Sequence, residues 1–504
     1  MLRGIRAAVL PAMVVAATFV MHAGAAPQSQ SSEIQLQVGN EFLAEGRYVD
    51  AIEAFQRALV GVDPTEARPA RSGLIQSALK LALFDAAQVQ SDTLLRALPR
   101  DPDVLALNGD ALWASGLFVE AEARYRQALA INPDLGRAHN GMARSLAAQT
   151  QLEAALDEAQ TALRLSPRDG EIHHTMGTIY ERQHKYEEAA NAFSNYVNLL
   201  PNKDRSEKAD WSRSEIKFLR SFGQRIPLDM DPEDANQTHT VEFRVVNDKV
   251  MVRAKVNEST YQEFVVDTGA ENTVITGSTA RRLGITPITY TLSAGVGEVG
   301  LRGLQLARIN TLELGTLKLR NVPCLIKDPP LRNLPTREVE SLSPLSLGFS
   351  MIIDYKTRKI TFGKRLPLEE SDFELPLRLH RLATVRGMVD GTHAANFVVD
   401  TGGQVISISQ ATATQLGRPA SARKILLRVY GSSGWDRDAF LMQGVDLAFD
   451  AIHFQNLNVA VLNLNAPSAL LGFQVGGIVG HNFLKKYRVA IDLERSVLRL
   501  KEIS

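Results

Sequence analysis

The sequence predicts a multidomain protein in which an all-α superhelix of repeats precedes an all-β unit built from two lobes. Landmark residues recur every 34 residues in the first half of the chain, which is a spacing typical of helical repeats. Short apolar runs of period two, rich in Val, Ile, Leu and Thr, fill the second half and indicate β-sheet. One hexapeptide occurs twice in that second half. A chain of 504 residues is also too long for a single core, so separate domains are expected.

Residues 1–26 have the pattern of a signal peptide. Arg3 and Arg6 precede an apolar run from Ala7 to Met21, and the small residues Ala23 to Ala26 follow. This order of positive, apolar and small-residue regions predicts export to a bacterial periplasm or a similar compartment. The alternative is an uncleaved membrane anchor that faces the periplasm, because the apolar segment approaches the roughly 20 residues of a spanning helix.

Residues 32–223 are predicted to form five helical repeats and a closing helix near 204–222. The pattern is clearest in two copies: Gly109, Leu112, Gly116, Phe118, Ala121, Tyr125, Ala128, Pro133 and Gly177, Tyr180, Tyr186, Ala189, Phe193, Pro201. Small residues let two helices approach, aromatic residues fill the space between them, and proline ends the second helix. The pattern resembles tetratricopeptide repeats, which stack into a superhelix. Its concave face is a candidate surface for a peptide or a partner protein.

A polar segment, residues 224–239, is predicted to link this array to the β-rich half as a separate module. Two homologous lobes follow, at 240–366 and 376–504, because matching landmarks recur in the same order. Phe264-Val265-Val266-Asp267-Thr268-Gly269 recurs as Phe397-Val398-Val399-Asp400-Thr401-Gly402. Near the ends of the lobes, Ile353-Asp354 corresponds to Ile491-Asp492.

An apolar strand that runs into Asp-Thr-Gly, present twice within an all-β duplicate, resembles the retropepsin-like bacterial members of the aspartic peptidases. The resemblance covers roughly the last 265 residues. It implies a bilobal retropepsin- or pepsin-like fold in which Asp267 and Asp400 are the catalytic pair. Two carboxyl groups that share a proton can supply both the base that activates water and the acid that protonates the peptide.

The same resemblance implies roles for the neighbouring residues. Thr268 and Thr401 would bridge the lobes through their hydroxyl groups. Gly269 and Gly402 would allow the tight turn and bring backbone N–H groups near the carboxylates. Glycine-rich turns stand where such lobes carry a hairpin flap, with Gly295 and Gly297 in the first lobe and Gly431 and Gly434 in the second. The alternative for either turn is an ordinary hairpin.

Two departures from the family pattern affect the expected geometry. In the second lobe, Gly477-Ile478-Val479-Gly480 resembles the apolar element that packs under the active-site loop. The first lobe lacks that glycine, and equal distances before Asp354 and Asp492 place Leu342 opposite Gly480. Gly403 follows the second Asp-Thr-Gly, where the family usually carries Ala, Ser or Thr.

Composition narrows the possible partners. Lys+Arg and Asp+Glu both number 56, so no basic excess favours nucleic acid. The lone Cys324 lies in an apolar stretch and is predicted to be a buried hydrophobic residue. No histidine pair has a metal-binding spacing, so we expect neither a metal nor another cofactor. A membrane would be a partner only if the N-terminal segment stays uncleaved.

The sequence therefore favours an exported aspartic endopeptidase that acts on extended polypeptide, with one active site per chain formed by its own two lobes. The alternative from another class is a non-catalytic tetratricopeptide adaptor with a degenerate peptidase-like binding module. A further alternative keeps the enzyme but pairs each lobe with its twin in another chain.

Overall fold

The structure is a computed structural model that describes residues 28–297, 299–328, 330–331, 338–418 and 425–503. The predicted signal segment, residues 1–26, lies outside the described residues. Among the helices within these ranges, none has the length and apolar character needed to cross a membrane.

The first part of the fold is an array of five antiparallel helix pairs and a closing helix, as the repeat pattern predicts. The helices are α1 Gln28–Ala44, α2 Tyr48–Ala58, α3 Arg68–Lys80, α4 Phe84–Ala97, α5 Pro102–Ala114, α6 Phe118–Ile131, α7 Gly136–Ala148, α8 Leu152–Leu165, α9 Gly170–Arg182, α10 Tyr186–Leu199 and α11 Glu207–Arg220.

The repeat landmarks pack as their spacing predicts. Tyr125 of α6 is fully buried, and it fills the space left by glycines on the two neighbouring helices. A Cβ atom added at Gly109 would lie 2.5 Å from the Tyr125 ring, and one added at Gly141 would lie 2.4 Å from it. Both distances are far below van der Waals contact, so the close approach of these helices requires residues without a side chain.

The second part of the fold is all-β with short helices, which confirms the predicted fold class. Its short helices are α12 Pro232–Ala235, α13 Gly277–Arg282, α14 Gln410–Gln415, α15 Asn465–Leu471 and α16 His481–Leu484. The strands of the first lobe are β1 His239–Glu242, β2 Arg244–Val246, β3 Lys249–Val256, β4 Tyr261–Val266, β5 Val274–Thr276, β6 Pro287–Ala294, β7 Leu301–Leu314, β8 Leu317–Lys327, β9 Glu340–Leu342, β10 Ser350–Asp354 and β11 Lys359–Gly363. Those of the second lobe are β12 Phe373–His380, β13 Leu382–Val389, β14 His393–Val399, β15 Ser407–Ser409, β16 Ile425–Leu426, β17 Val429–Gly431, β18 Gly434–Asp436, β19 Phe440–Phe449, β20 Ile452–Leu462, β21 Gly477–Val479, β22 Tyr487–Asp492 and β23 Val497–Glu502.

The two lobes repeat one topology. Lobe 1 forms an eight-stranded sheet in the order β2-β3-β4-β9-β5-β8-β7-β6. Lobe 2 repeats its central part as β13-β14-β21-β15-β20-β19, with β14 and β21 parallel as β4 and β9 are. Cys324 of β8 is fully buried, which confirms its prediction as a core residue.

A shared sheet joins the lobes. Strands from both lobes lie side by side in the order β1-β11-β10-β22-β23-β12. At its centre β10 and β22 run antiparallel, with Met351 opposite Ile491 and Ile353 opposite Val489. Because the corresponding segments of each lobe pair with each other, this register has the pseudo-two-fold symmetry that the duplicated sequence leads one to expect.

The array packs against both lobes through two apolar clusters. On lobe 2, Trp113 and Phe118 lie against Phe473, with the two phenylalanine ring centroids 5.2 Å apart. On lobe 1, Phe222 beyond α11 packs in a cluster with Leu304. The array is therefore attached to the lobes by apolar surface, and not by the polar segment alone.

The segment predicted to be a linker also contacts lobe 1. Leu228 is buried in the core of the lobes. Asp229 and Arg320 of β8 exchange backbone hydrogen bonds of 3.1 and 2.7 Å, and their side chains form an ion pair at 2.7 Å. These contacts hold the chain between array and lobe along the edge of β8.

Candidate active site

The two Asp-Thr-Gly loops begin where buried strands end. Strand β4 ends in Val266 and β14 ends in Val399, and both valines are fully buried, so Asp267 and Asp400 emerge at the edge of the core. Parallel neighbours hold each aspartate in place. The Asp267 N–H donates to the Leu342 carbonyl at 2.8 Å, and the Asp400 N–H donates to the Val479 carbonyl at 3.0 Å.

The threonines of the two loops join the lobes. The Thr268 hydroxyl donates to the Val399 carbonyl at 2.6 Å and accepts from the Thr401 N–H at 3.1 Å. The Thr401 hydroxyl donates to the Val266 carbonyl at 2.6 Å and accepts from the Thr268 N–H at 3.1 Å. Both side chains are buried. This reciprocal set satisfies four backbone groups that would otherwise be buried without partners, and it fixes the two loops relative to each other.

Each carboxyl group lies against the glycine of the opposite lobe. A Cβ atom added at Gly269 would lie 2.5 Å from the Asp400 carboxyl carbon, and one added at Gly402 would lie 2.7 Å from that of Asp267. Any side chain at either glycine would displace the facing carboxylate. The structure therefore brings the two aspartates together across the lobe interface.

Burial opposes ionisation of both aspartates, and the charge of Asp400 adds to this effect at Asp267. Burial, and then the charge of Asp400, raise the pKa of Asp267 to about 7. Burial also raises the pKa of Asp400, although N–H bonds from Gly403 and Gly402 oppose the rise. Asp400 accepts these two bonds at 2.9 and 2.7 Å, whereas Asp267 accepts one, from Gly269 at 3.1 Å. More donors stabilise the charged form of Asp400, so the first proton of the pair is favoured on Asp267.

The structure corrects the pairing of Leu342 with Gly480. Strand register places Val266 opposite Leu342 and Val399 opposite Val479, so Ser343 is the counterpart of Gly480. The Ser343 hydroxyl donates to the Ala270 carbonyl at 2.6 Å. In lobe 2 the corresponding Gly403 carbonyl accepts from the His481 N–H at 2.8 Å. The serine side chain thus does in lobe 1 what a backbone N–H does in lobe 2.

Gly403 is the other departure, and its position explains its residue type. A Cβ atom added there would lie 2.6 Å from Oδ2 of Asp400. Glycine therefore lets the Gly403 N–H approach that carboxylate without crowding it.

The two glycine-rich turns lie at the tips of hairpins that meet. The turn between β6 and β7 contains Gly295 and Gly297, and the turn between β17 and β18 joins Gly431 to Gly434. The Ser433 N–H donates to the Val296 carbonyl at 2.9 Å. A Cβ atom added at Gly431 would lie 2.4 Å from that same carbonyl oxygen, and one at Gly297 would lie 2.3 Å from the Ser433 carbonyl carbon. The tips therefore touch backbone to backbone.

A cavity of about 1270 Å³ contains both aspartates and both hairpin tips. Sequence reasoning missed that the helical array forms part of its wall. The array residues that line it include Trp113, Arg144, Thr178, Glu181, Trp211 and Glu215. None of these residues is a landmark of the repeat pattern. The available signal was that all of them lie on the inner helices of the superhelix, α5, α7, α9 and α11. Burial raises the pKa of Glu181 to about 7 and that of Glu215 to about 8.

Another residue of this cavity, Arg381, joins three parts of the molecule. It lies in the tight turn between β12 and β13, where its backbone is left-handed with φ of 62°. Its side chain forms an ion pair with Glu271 of the first Asp-Thr-Gly loop at 2.5 Å and donates to the Leu470 carbonyl at 2.6 Å. Its charge also opposes the rise in the pKa of Glu181 on the array.

Within the described residues, no group of three or more His, Cys, Asp or Glu side chains has an arrangement that could hold a metal ion.

Comparisons with known proteins identify both parts of the chain. Residues 252–351 and 385–483 each match the aspartyl protease family model, and residues 106–170 match the tetratricopeptide repeat model. The chain therefore joins tetratricopeptide repeats to two lobes of the aspartyl protease family. The recognition of both modules from sequence is confirmed.

Solved structures that match part of the chain superpose poorly on it as a whole. The tetratricopeptide protein TTC0263 of Thermus thermophilus is 22% identical, with a TM-score of 0.31 over 37% of this chain and 98% of that one. PilF of Pseudomonas aeruginosa is 17% identical, with a TM-score of 0.28, and the match covers 38% of this chain and 94% of PilF. MamA of Desulfovibrio magneticus RS-1 is 18% identical, with a TM-score of 0.26, and the match covers 34% of this chain and 97% of the MamA chain. A comparison with curated proteins gave no match.

Proposed function

We propose that the protein is an aspartic endopeptidase that hydrolyses peptide bonds at the Asp267–Asp400 pair. The observation that carries the proposal is the pairing of two Asp-Thr-Gly loops across the lobe interface, with each carboxyl group against the opposite glycine. Membership of both lobes in the aspartyl protease family supports the same reaction.

Different roles for the two carboxyl groups are proposed from their different environments. Asp400, which accepts two N–H bonds, starts ionised and takes a proton from the attacking water. Asp267, whose pKa is raised to about 7, starts protonated and donates to the carbonyl oxygen of the scissile peptide. Asp400 then passes the proton taken from water to the amine nitrogen as the C–N bond of the tetrahedral intermediate breaks. Asp267 recovers its proton from a hydroxyl group of that intermediate, so the products leave as an amine and a carboxylic acid. Since the groups share a proton, they titrate as a pair.

The central experiment compares the wild-type protein with Asp267→Asn and Asp400→Asn on a reduced, carboxymethylated protein substrate. Asparagine preserves the shape but can neither share the proton nor act as a base. We expect each variant to retain less than about one part in a hundred of wild-type activity, because removing a catalytic acid–base group typically costs 10²- to 10⁴-fold. Addition of a metal chelator should leave the wild-type rate unchanged.

Two outcomes would contradict the peptidase proposal. Substantial activity in either variant would show that the substituted aspartate is not required, so that hydrolysis takes place at another site. A folded wild-type protein that binds polypeptide without cleaving it would favour the non-catalytic adaptor.

We further propose that the protein works as a monomer in an exported compartment, the bacterial periplasm. The support for export is the order of charged, apolar and small residues from Arg3 to Ala26. Cell fractionation with N-terminal sequencing would test it: a mature chain that begins near residue 27 in the periplasm is expected, and an uncleaved chain in the cytoplasm would refute it.

A further inference from the structure

The helical array and the two aspartates share one cavity. The cavity of about 1270 Å³ reaches from Asp267 and Asp400 to side chains on α9 and α11, among them Thr178 and Ser212. This volume exceeds the 300–1,000 Å³ that is typical of small-molecule pockets. The space in front of the aspartates is thus bounded by the array and not by open solvent alone.

Specific contacts fix the array in this position. The Gln474 N–H of lobe 2 donates to the Ala114 carbonyl at the end of α5, at 2.7 Å. Arg386 on β13 forms an ion pair with Glu120 of α6 at 2.6 Å. A further contact joins Thr150, just beyond α7, to the Leu493 carbonyl. Together with the two apolar clusters, these bonds fix the position of the array against the lobes, so the array forms a defined wall of the cavity.

The array also closes on itself. The Asn202 side chain, beyond the last repeat, donates to the Glu45 carbonyl in the first repeat. Inside the array, Lys80 at the end of α3 forms an ion pair with Glu171 at the start of α9. Contacts between such distant repeats leave a confined interior where an open superhelix would leave a wide groove.

The hairpin tips limit access from the side of the lobes. Ser433 and Val296 join the tips by a backbone hydrogen bond. The tips bound the cavity on one side and the array bounds it on another. Its volume of about 1270 Å³ is large enough for a segment of extended polypeptide. A folded domain of 100 residues has a radius of gyration of about 13 Å and cannot enter such a space.

We propose that the concave face of the array is the outer wall of the substrate cleft and restricts the site to unfolded polypeptide. This inference rests on the proposed peptidase function for cleavage, but it makes a separate claim about binding. Residues on the inner face of α9 and α11 contact the bound segment and determine which chains reach the aspartates.

The test uses the full chain and a matched pair of substitutions. Thr178 on α9 lines the cavity, whereas Thr161 on α8 does not. Both are partly exposed helical threonines whose hydroxyl groups donate to the carbonyl four residues earlier, at 3.1 and 3.0 Å. Thr178→Trp therefore narrows the cavity, and Thr161→Trp is the control for a bulky residue on the array. Ser212→Trp on α11 narrows the same cavity from a different helix, in case Thr178→Trp fails to fold.

Two measurements follow. Binding is measured by fluorescence anisotropy in the Asp267→Asn background, with labelled lysozyme either native or reduced and carboxymethylated. Cleavage of the same two forms is measured with Asp267 intact. We expect binding and cleavage of the unfolded form alone, and a loss of about tenfold or more in its affinity and kcat/KM with Thr178→Trp or Ser212→Trp. Thr161→Trp should change neither.

Equal binding of native and unfolded lysozyme, or an unchanged affinity in both cavity variants, would overturn the inference. The two proposals fail separately. Unfolded lysozyme that is bound with the expected mutational pattern but never cleaved would refute the peptidase and leave the cleft assignment standing.

Discussion

At the residue scale, the two halves of the candidate site differ although their motifs are identical. Asp400 accepts N–H bonds from Gly402 and Gly403, and Asp267 accepts one from Gly269. The residue after the motif produces this difference, because Gly403 has no Cβ atom to crowd the carboxylate. A duplicated sequence motif can thus hold two carboxyl groups that differ in how strongly their charged forms are stabilised.

The raised pKa of Asp267 predicts a pH dependence of both activity and stability. The group loses its proton as the pH rises through about 7, so kcat/KM should fall across that range. Because the folded-state pKa is above the unfolded value, the group's contribution to stability is fully present at low pH and is lost as the pH rises through about 7. Asp267→Asn removes this ionisation.

The thermal unfolding of wild type and Asp267→Asn at about pH 5 and about pH 8, on either side of the raised pKa, checks the stability part. We expect the Tm of the variant, relative to that of wild type, to be higher at the alkaline pH than at the acidic one. Asp157→Asn, at an exposed position of the array that does not line the cavity, is measured at the same two pH values as the control for loss of a carboxylate away from Asp267. A relative Tm of Asp267→Asn that does not vary with pH would show that Asp267 does not titrate in this range.

The sequence predicts that the aspartates, threonines and glycines lie on two corresponding loops. This correspondence is unambiguous because the two hexapeptides are identical, so each residue of one matches a single residue of the other. Sequence reasoning failed by one residue at Gly480. Asp354 lies eleven positions after Ser343, but Asp492 lies twelve positions after Gly480. Counting back from the aspartates therefore gave the wrong partner, whereas pairing of β9 with β4 and of β21 with β14 gives the right one.

At the scale of elements, the hairpin tips show what a single sequence leaves out. Glycine clusters predicted both turns, because tight turns favour glycine. The contact between Val296 and Ser433 joins residues far apart in the chain, and no local pattern encodes it. The glycines are needed there because two backbones meet, which is a demand of tertiary structure.

Gly431→Ala tests whether contact between the tips matters for catalysis. The added methyl group would lie 2.4 Å from the Val296 carbonyl oxygen and must push the tips apart. We expect kcat/KM to fall about tenfold, equivalent to about 1.4 kcal/mol of transition-state stabilisation, because displaced tips admit water and position substrate poorly. Gly303→Ala on β7 is the matched control, since a Cβ atom there has no neighbour within 4 Å. Equal effects of the two substitutions would show that the contact between tips plays no part.

At the scale of the whole molecule, the same residue can serve a repeat and an interface. Phe118 was recognised as a repeat landmark, and it also contacts Phe473 of lobe 2. The turn residue Gly116 has a positive φ of 78°, as a helix-connecting glycine should, and a Cβ atom there would also lie 2.4 Å from the Asn396 side chain. The repeat alone accounts for the residue type at both positions, so the sequence carries no separate sign that they also contact lobe 2. The docking of the array onto the lobes could therefore not be predicted from the repeat pattern.

The arrangement of the lobes predicts one active site per chain. Asp267 and Asp400 lie 133 residues apart, and a short segment from Gly363 to Phe373 joins β11 to β12. Such a connector keeps lobe 2 at high effective concentration beside lobe 1. The array adds to this effect, because it contacts both lobes through its two apolar clusters.

Mixing the two asparagine variants, each of which we expect to be inactive alone, distinguishes pairing within a chain from pairing between chains. Asp267→Asn and Asp400→Asn proteins are unfolded together and refolded, so that lobes have the opportunity to exchange. If each lobe pairs with its own neighbour in the chain, every site keeps one asparagine and the mixture stays inactive. Pairing between chains would instead unite an intact lobe 1 with an intact lobe 2 in some molecules and restore activity. We expect no recovery, and a wild-type specific activity that does not change with protein concentration. On refolding, the short connector keeps each lobe 2 beside its own lobe 1, so the β10–β22 pairing and both array contacts form again within one chain.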